Sequence, residues 1–114
     1  MLKNVQLPSG NLSLIINKSD IDINDLCCFA TRANNKRGFL FVSKVLGKHY
    51  PVKPSVMEDV YENLSKKITQ LTNESKSVCF IGFAETAIGL GGGTFHSWRT
   101  KNSSKKALFM PTSR

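Results

Sequence analysis

The stretch at residues 78–94, VCFIGFAETAIGLGGGT, limits what this chain can fold into more than any other, because a short apolar run turns abruptly into glycine. Val78, Cys79, Phe80 and Ile81 form a run of the kind buried on both faces of a parallel sheet. Gly89, Gly91, Gly92 and Gly93 follow Glu85, Thr86 and Ala87. Glycines just past the carboxyl end of a buried strand let backbone N–H groups approach a ligand without interference from Cβ, which is one way to cradle phosphate. The pattern reads either as a phosphate-binding loop or as a glycine-rich surface loop without a ligand.

The rest of the chain supplies elements of matching type. Residues 3–7 and 12–16 are two extended candidates flanking the turn formers Pro8, Ser9, Gly10 and Asn11, so an amino-terminal β-hairpin is expected. Asp22 is a candidate N-cap, and Ile23, Leu26, Phe29 and Ala30 at helical spacing predict a short helix within residues 20–30. Phe39, Leu40, Phe41 and Val42 predict a buried strand, followed by a second candidate anion loop at residues 43–49, with two lysines, a hydroxyl and a glycine. In an open α/β sheet ligands bind outside the carboxyl ends of the strands, so two such loops on neighbouring strands would face one site. Ordinary solvated lysines in a strand-to-helix loop are the alternative.

Ser55 and Glu58 have the spacing of a capping box, opening a helix that runs to about Leu71. Its apolar stripe is Val56, Met57, Val60, Tyr61, Leu64, Ile68 and Leu71, with Glu62, Lys66 and Lys67 outward. Core packing accounts for that stripe. A strand, helix, strand unit with a right-handed crossover would result. Residues 94–99 are expected to open another helix with Phe95 and Trp98 inward, and Ala107, Leu108, Phe109 and Met110 to form a third parallel strand. The expected fold is a single α/β domain over residues 1–114, with a small, mostly parallel sheet, flanking helices and the hairpin in front. Because the pattern stops after a strand, where a covering helix would come next, the domain is expected to be incomplete at its carboxyl end.

Sixteen Lys plus Arg against eight Asp plus Glu leave a net charge of +8, which suits an anionic partner: phosphate, nucleotide or nucleic acid. The basic residues are spread along the chain, so a merely solvated surface explains them equally well. Cys27, Cys28 and Cys79 lack zinc-site spacing and read as reduced, mostly buried thiols. With no signal-peptide pattern and no apolar run approaching a bilayer span, a soluble, cytoplasmic chain without membrane contact is expected. Thr94 stands where a dinucleotide fingerprint would need its third glycine, no Gly-Lys-Ser or Gly-Lys-Thr ends the loop, and His49 and His96 stand without a nucleophile and orienting acid at recognisable positions. Trp98, Tyr50 and Tyr61 are too scattered for a stacking platform, which leaves nucleic acid resting on charge alone.

Residues 35–49, NKRGFLFVSKVLGKH, and 82–91, GFAETAIGLG, together resemble the phosphoribosyltransferase-like proteins associated with tellurite-resistance operons, which are similar to orotate phosphoribosyltransferase. The resemblance implies a type I phosphoribosyltransferase fold that binds phosphoribosyl pyrophosphate with Mg²⁺ and passes ribosyl phosphate to a nitrogen nucleophile, in a cytoplasmic and possible homodimeric protein. It also implies roles for residues. Ser43, Lys44, Gly47, Lys48 and His49 would form the pyrophosphate loop, with Lys44 and Lys48 offsetting charge on the leaving group. Thr86, Ala87, Gly89, Leu90, Gly91 and Gly92 would hold the ribose and its 5-phosphate. Glu85 would stabilise positive charge on the sugar, so Glu85 and Lys44 are the catalytic candidates, and no residue is assigned to the metal. The sequence departs from the family pattern where Phe83 and Ala84 replace an acidic pair and Ile88 replaces a phosphate-binding threonine. A non-catalytic module binding a nucleotide or other phosphorylated small molecule, or a basic nucleic-acid-binding domain, therefore stands beside the enzyme.

Overall fold

Pro8 and Ser9 form a tight turn between β1, Leu2–Leu7, and β2, Gly10–Ile15, which pair antiparallel with Leu7 opposite Gly10. Gly10 holds φ at +134°, a conformation that L side chains rarely adopt, and this lets the turn close in two residues. The computed structural model describes residues 1–34, 36–84 and 87–112. They fall into two units, Met1–Val52 and Lys53–Arg114.

In the first unit Asp22 caps α1, Ile23–Leu26, by accepting the Asn24 N–H at 2.8 Å. The expected helix stops there. Cys27 turns to extended backbone, and β3, Cys27–Thr31, pairs antiparallel with β4, Phe39–Ser43, with Phe29 opposite Phe41. Helical spacing across so few residues is ambiguous. A cross-strand partner satisfies the backbone of residues 27–31 at once, whereas an isolated short helix is marginal in water. Ser9 Oγ donates to the Gly38 carbonyl at 2.7 Å and so ties the turn of the first hairpin to the loop of the second.

The second unit opens with α2, Pro54–Leu71. Pro54 takes the first helical position, where its missing N–H costs nothing, and Lys53 is the N-cap without a side-chain bond. Ser55 thus lies inside the helix, and the capping box does not form. Leu71 is 85% exposed and leaves the expected stripe, while Ser65 is fully buried against the next helix. β5, Ser77–Gly82, and β6, Lys106–Pro111, pair parallel in register, Val78 opposite Ala107 and Phe80 opposite Phe109. Between them a π-helical turn, Ala87–Gly91, runs straight into α3, Gly92–Lys101.

The expectation of a mostly parallel sheet is corrected. Among the described residues, strands pair in three two-stranded sheets, and only β5 with β6 is parallel. β4 takes its hydrogen bonds from β3, so the strand before α2 and the strand after it do not share a sheet. The parallel crossover is the π turn with α3. Helix packing covers one face of β5 and β6: Phe80 meets Phe95 at 5.3 Å and Trp98 at 5.2 Å, and Phe95 stacks on Phe109 at 5.7 Å. On the other face Ile81, Leu108 and Met110 are at least half exposed, and Cys79 is exposed too, so β5 alternates instead of burying both faces. No helix among the described residues is long and apolar enough to cross a membrane.

Candidate functional site

Trp98 anchors the candidate site from beneath. Its side chain is fully buried where α3 meets β5, against the ring of Phe80. Three polar contacts lock α3 to α2: Ser65 Oγ lies 3.1 Å from Ser97 Oγ, Asn102 Nδ2 donates to Thr69 Oγ1 at 3.1 Å, and Lys101 Nζ meets Glu62 Oε1 at 2.9 Å. Lys101 holds the Glu62 carboxyl below the usual carboxylate range, first through this hydrogen bond and then through charge, with Lys66 adding to it. At the strand end the Thr112 N–H donates to the Gly82 carbonyl at 2.8 Å, and Thr112 Oγ1 accepts the Ala84 N–H at 3.0 Å.

Ala87, Gly89, Leu90 and Gly91 all lie in the π turn, and Gly92 opens α3. Ala87–Gly91 and α3 thus form one continuous helical run past β5. In a helical run the N–H groups of the first turn lack internal partners, and the helix dipole adds partial positive charge there. Glu85 and Thr86 lie outside the described residues.

The glycines differ in what they permit. A Cβ on Gly89 would meet nothing within 4 Å, whereas one on Gly91 would lie 3.1 Å from Phe109 Cε2. On Gly93 it would come within 2.4 Å of Tyr61 Cζ, so Gly93 is needed for helix packing. Next to the π turn lies a cavity of about 310 Å³ walled by Ile68, Phe80, Gly82, Leu90, Thr94 and Phe109. Thr94 Oγ1 is buried there without a hydrogen-bond partner among the described residues. One hydroxyl among apolar walls suits a flat, largely apolar group. A phosphate needs several donors, and the lining of this cavity offers one hydroxyl. Sequence does not single out Thr94 for this role, because only tertiary packing makes a threonine hydroxyl buried and unpartnered.

The other candidate loop belongs to the first unit. Ser43 ends β4, and its Oγ accepts the Val45 N–H at 3.2 Å. The Lys44 N–H donates to the Leu26 carbonyl at 2.8 Å, and its Nζ donates to the Asn24 carbonyl at 2.7 Å while lying 6.0 Å from the Tyr50 ring. Lys44 is thus held by α1 and would have to release that carbonyl to reach a ligand. Gly47 sits at φ +66°, a left-handed turn that suits glycine, and Lys48 and His49 are exposed beyond it. Among the described residues no three His, Cys, Asp or Glu side chains gather to hold a metal ion.

A family model described as phosphoribosyl transferase matches residues 26–114, a span that begins at the end of α1 and takes in both loops. No curated protein and no solved structure matches the chain.

Proposed function

Because the chain belongs to the phosphoribosyl transferase family, we propose that it binds phosphoribosyl pyrophosphate and transfers ribosyl phosphate to a nitrogen nucleophile. The bond from the anomeric carbon to the pyrophosphate oxygen breaks, and pyrophosphate leaves with the electron pair. A bond from that carbon to nitrogen forms, and the nucleophile gives up a proton. The narrower kinship with the tellurite-resistance relatives of orotate phosphoribosyltransferase belongs to the same proposal.

One observation carries the reading. The glycines fall in a π-helical turn, Ala87–Gly91, and at the start of α3, past the carboxyl end of β5 in a parallel pair, which is where an open α/β arrangement places its ligands. On this reading Ala87, Gly89, Leu90, Gly91 and Gly92 surround the 5-phosphate, and Thr86 adds a hydroxyl. The family resemblance would give Ser43, Gly47 and His49, with the charges of Lys44 and Lys48, the pyrophosphate as their ligand. Glu85 would stabilise the sugar as it becomes cationic. Mg²⁺ would accompany the pyrophosphate and offset its charge. Among the described residues no three His, Cys, Asp or Glu side chains gather around such an ion.

Phe83, 78% exposed, and Ala84 precede the loop without a carboxylate. This favours, as a second reading, a domain that binds the phosphorylated sugar without turning it over.

Gly89→Asp tests the loop directly. The position has open space, so the side chain fits. Its charge would repel phosphate. Native protein should melt higher with phosphoribosyl pyrophosphate and Mg²⁺, by about 2.7 kcal/mol of added stability at 100 times the dissociation constant. The Gly89→Asp variant should lose that shift while keeping the melting temperature of the free protein. A full shift in the variant would refute the loop assignment, and no shift in the native protein would refute the function. Binding without pyrophosphate release across a panel of nitrogen nucleophiles would select the second reading.

A further inference from the structure

The β3–β4 hairpin carries a second assembly outside both loops. Phe39 and Phe41 alternate along β4 and so share one face, joined there by Phe29, which pairs with Phe41 across the sheet. The rings form a row: Phe29 to Phe41 is 5.0 Å edge-on, and Phe41 to Phe39 is 5.8 Å. Phe39 and Phe41 are 44% and 50% exposed, much for phenylalanine on a strand. At the end of the row Arg32, Lys36 and Arg37 line, with Phe39 and Phe41, a cavity of about 510 Å³. Among the described residues no acidic side chain lies within ion-pair distance of these three cations.

Aromatic faces beside cations that have no acidic partner among the described residues fit a ligand that carries flat rings and anions in alternation. We infer that this face binds single-stranded nucleic acid, with bases stacking on Phe39 and Phe41 and phosphates meeting Arg32, Lys36 and Arg37. Two adjacent rings and three cations exceed what one nucleotide uses, and a duplex keeps its base faces hidden. The net charge of +8 draws the polyanion in from a distance.

The test is fluorescence anisotropy of the full chain with a labelled oligothymidylate about 10 nucleotides long, between about 50 and 200 mM salt. Three phosphate contacts predict a slope of log affinity on log salt near −2. Phe39→Leu keeps the apolar bulk but removes the ring, and should weaken binding roughly 5- to 150-fold. The triple variant Arg32→Gln, Lys36→Gln and Arg37→Gln alters only exposed side chains, so it tests the site even if the Phe39 variant fails to fold, and should bring the slope close to zero. Any one of four results would overturn the inference: no binding by native protein, tight binding that neither variant weakens, equal affinity for a duplex of the same length, or displacement of the oligonucleotide by phosphoribosyl pyrophosphate. The last would place the strand in the transferase site. Loss of sugar-phosphate binding by Gly89→Asp, with oligonucleotide binding intact, is the expected pattern if both sites exist.

Discussion

Gly93 and Tyr61 are in contact through an absence: the ring of Tyr61 on α2 occupies the space that any Cβ at position 93 on α3 would need, with Cζ, Cε2 and Cε1 all within 2.7 Å of it. The two helices can approach this closely only because residue 93 is glycine. Gly93→Ala should therefore destabilise the second unit by about 1–3 kcal/mol, as overpacking does, although alanine is the better helix former. Gly89→Ala, with open space around it, should be neutral or slightly stabilising. Denaturant titration of both variants checks the contrast. Adding Tyr61→Leu should recover part of the Gly93→Ala loss, and strict additivity would show that the ring is not the obstacle.

Thr94→Val should stabilise the free protein by about 1 kcal/mol, because it replaces a buried hydroxyl that has no partner among the described residues with a methyl of similar shape. Thermal or chemical denaturation reads the sign. A clear loss of stability would mean that the hydroxyl already has a partner.

Lys101→Gln should raise the Glu62 pKa toward the ordinary glutamate value, since the hydrogen bond from Lys101 is the largest cause of its depression. A carboxylate with a depressed folded pKa adds stability above its unfolded pKa and loses it as the pH falls through the folded value. The pair is exposed, so the contribution is small, and the decisive readout is an NMR titration of the Glu62 side chain. An unchanged titration in the variant would assign the depression elsewhere.

Cys27 and Cys79 should separate under a thiol-alkylating reagent near neutral pH. Burial, and next the neighbouring Cys28, push the Cys27 thiol up and keep it protonated, while Cys79 is exposed on the open face of β5. Because the folded state disfavours the Cys27 thiolate, its share of stability is present below the unfolded pKa and is lost as the pH rises through the folded one. Peptide mass spectrometry over time should show Cys79 modified first. Equal rates would remove the distinction.

Gly91→Val is a poor probe of the phosphate loop for a reason only the structure supplies. A Cβ there presses on Phe109 at 3.1 Å, so lost binding could come from displaced packing. Gly89 offers the same loop without that ambiguity.

What the sequence determined by itself is local. Turn formers at residues 8–11 predicted the first hairpin, a long apolar period predicted α2, and the run at 78–81 predicted a strand; all three elements are present, whereas the glycines expected to form a loop before a helix at residue 94 are themselves helical, in the π turn and the first turn of α3. The residues of both candidate loops were legible for the same reason, since glycine, lysine and hydroxyl chemistry is written in order along the chain. Pairing was not legible. Residues 27–31 have a spacing that serves a helix or a strand, and only the hydrogen bonds offered by Phe39–Ser43 settle it. The same choice takes β4 away from β5 and leaves β5 and β6 as the parallel pair. Nor can composition reveal that Ser65 is buried against Ser97, that Leu71 is left in solvent, or that Gly93 yields its space to Tyr61. Each depends on which surfaces meet, and that is decided by contacts between residues far apart in the chain, whose free energy outweighs the few tenths of a kcal/mol by which local preferences differ.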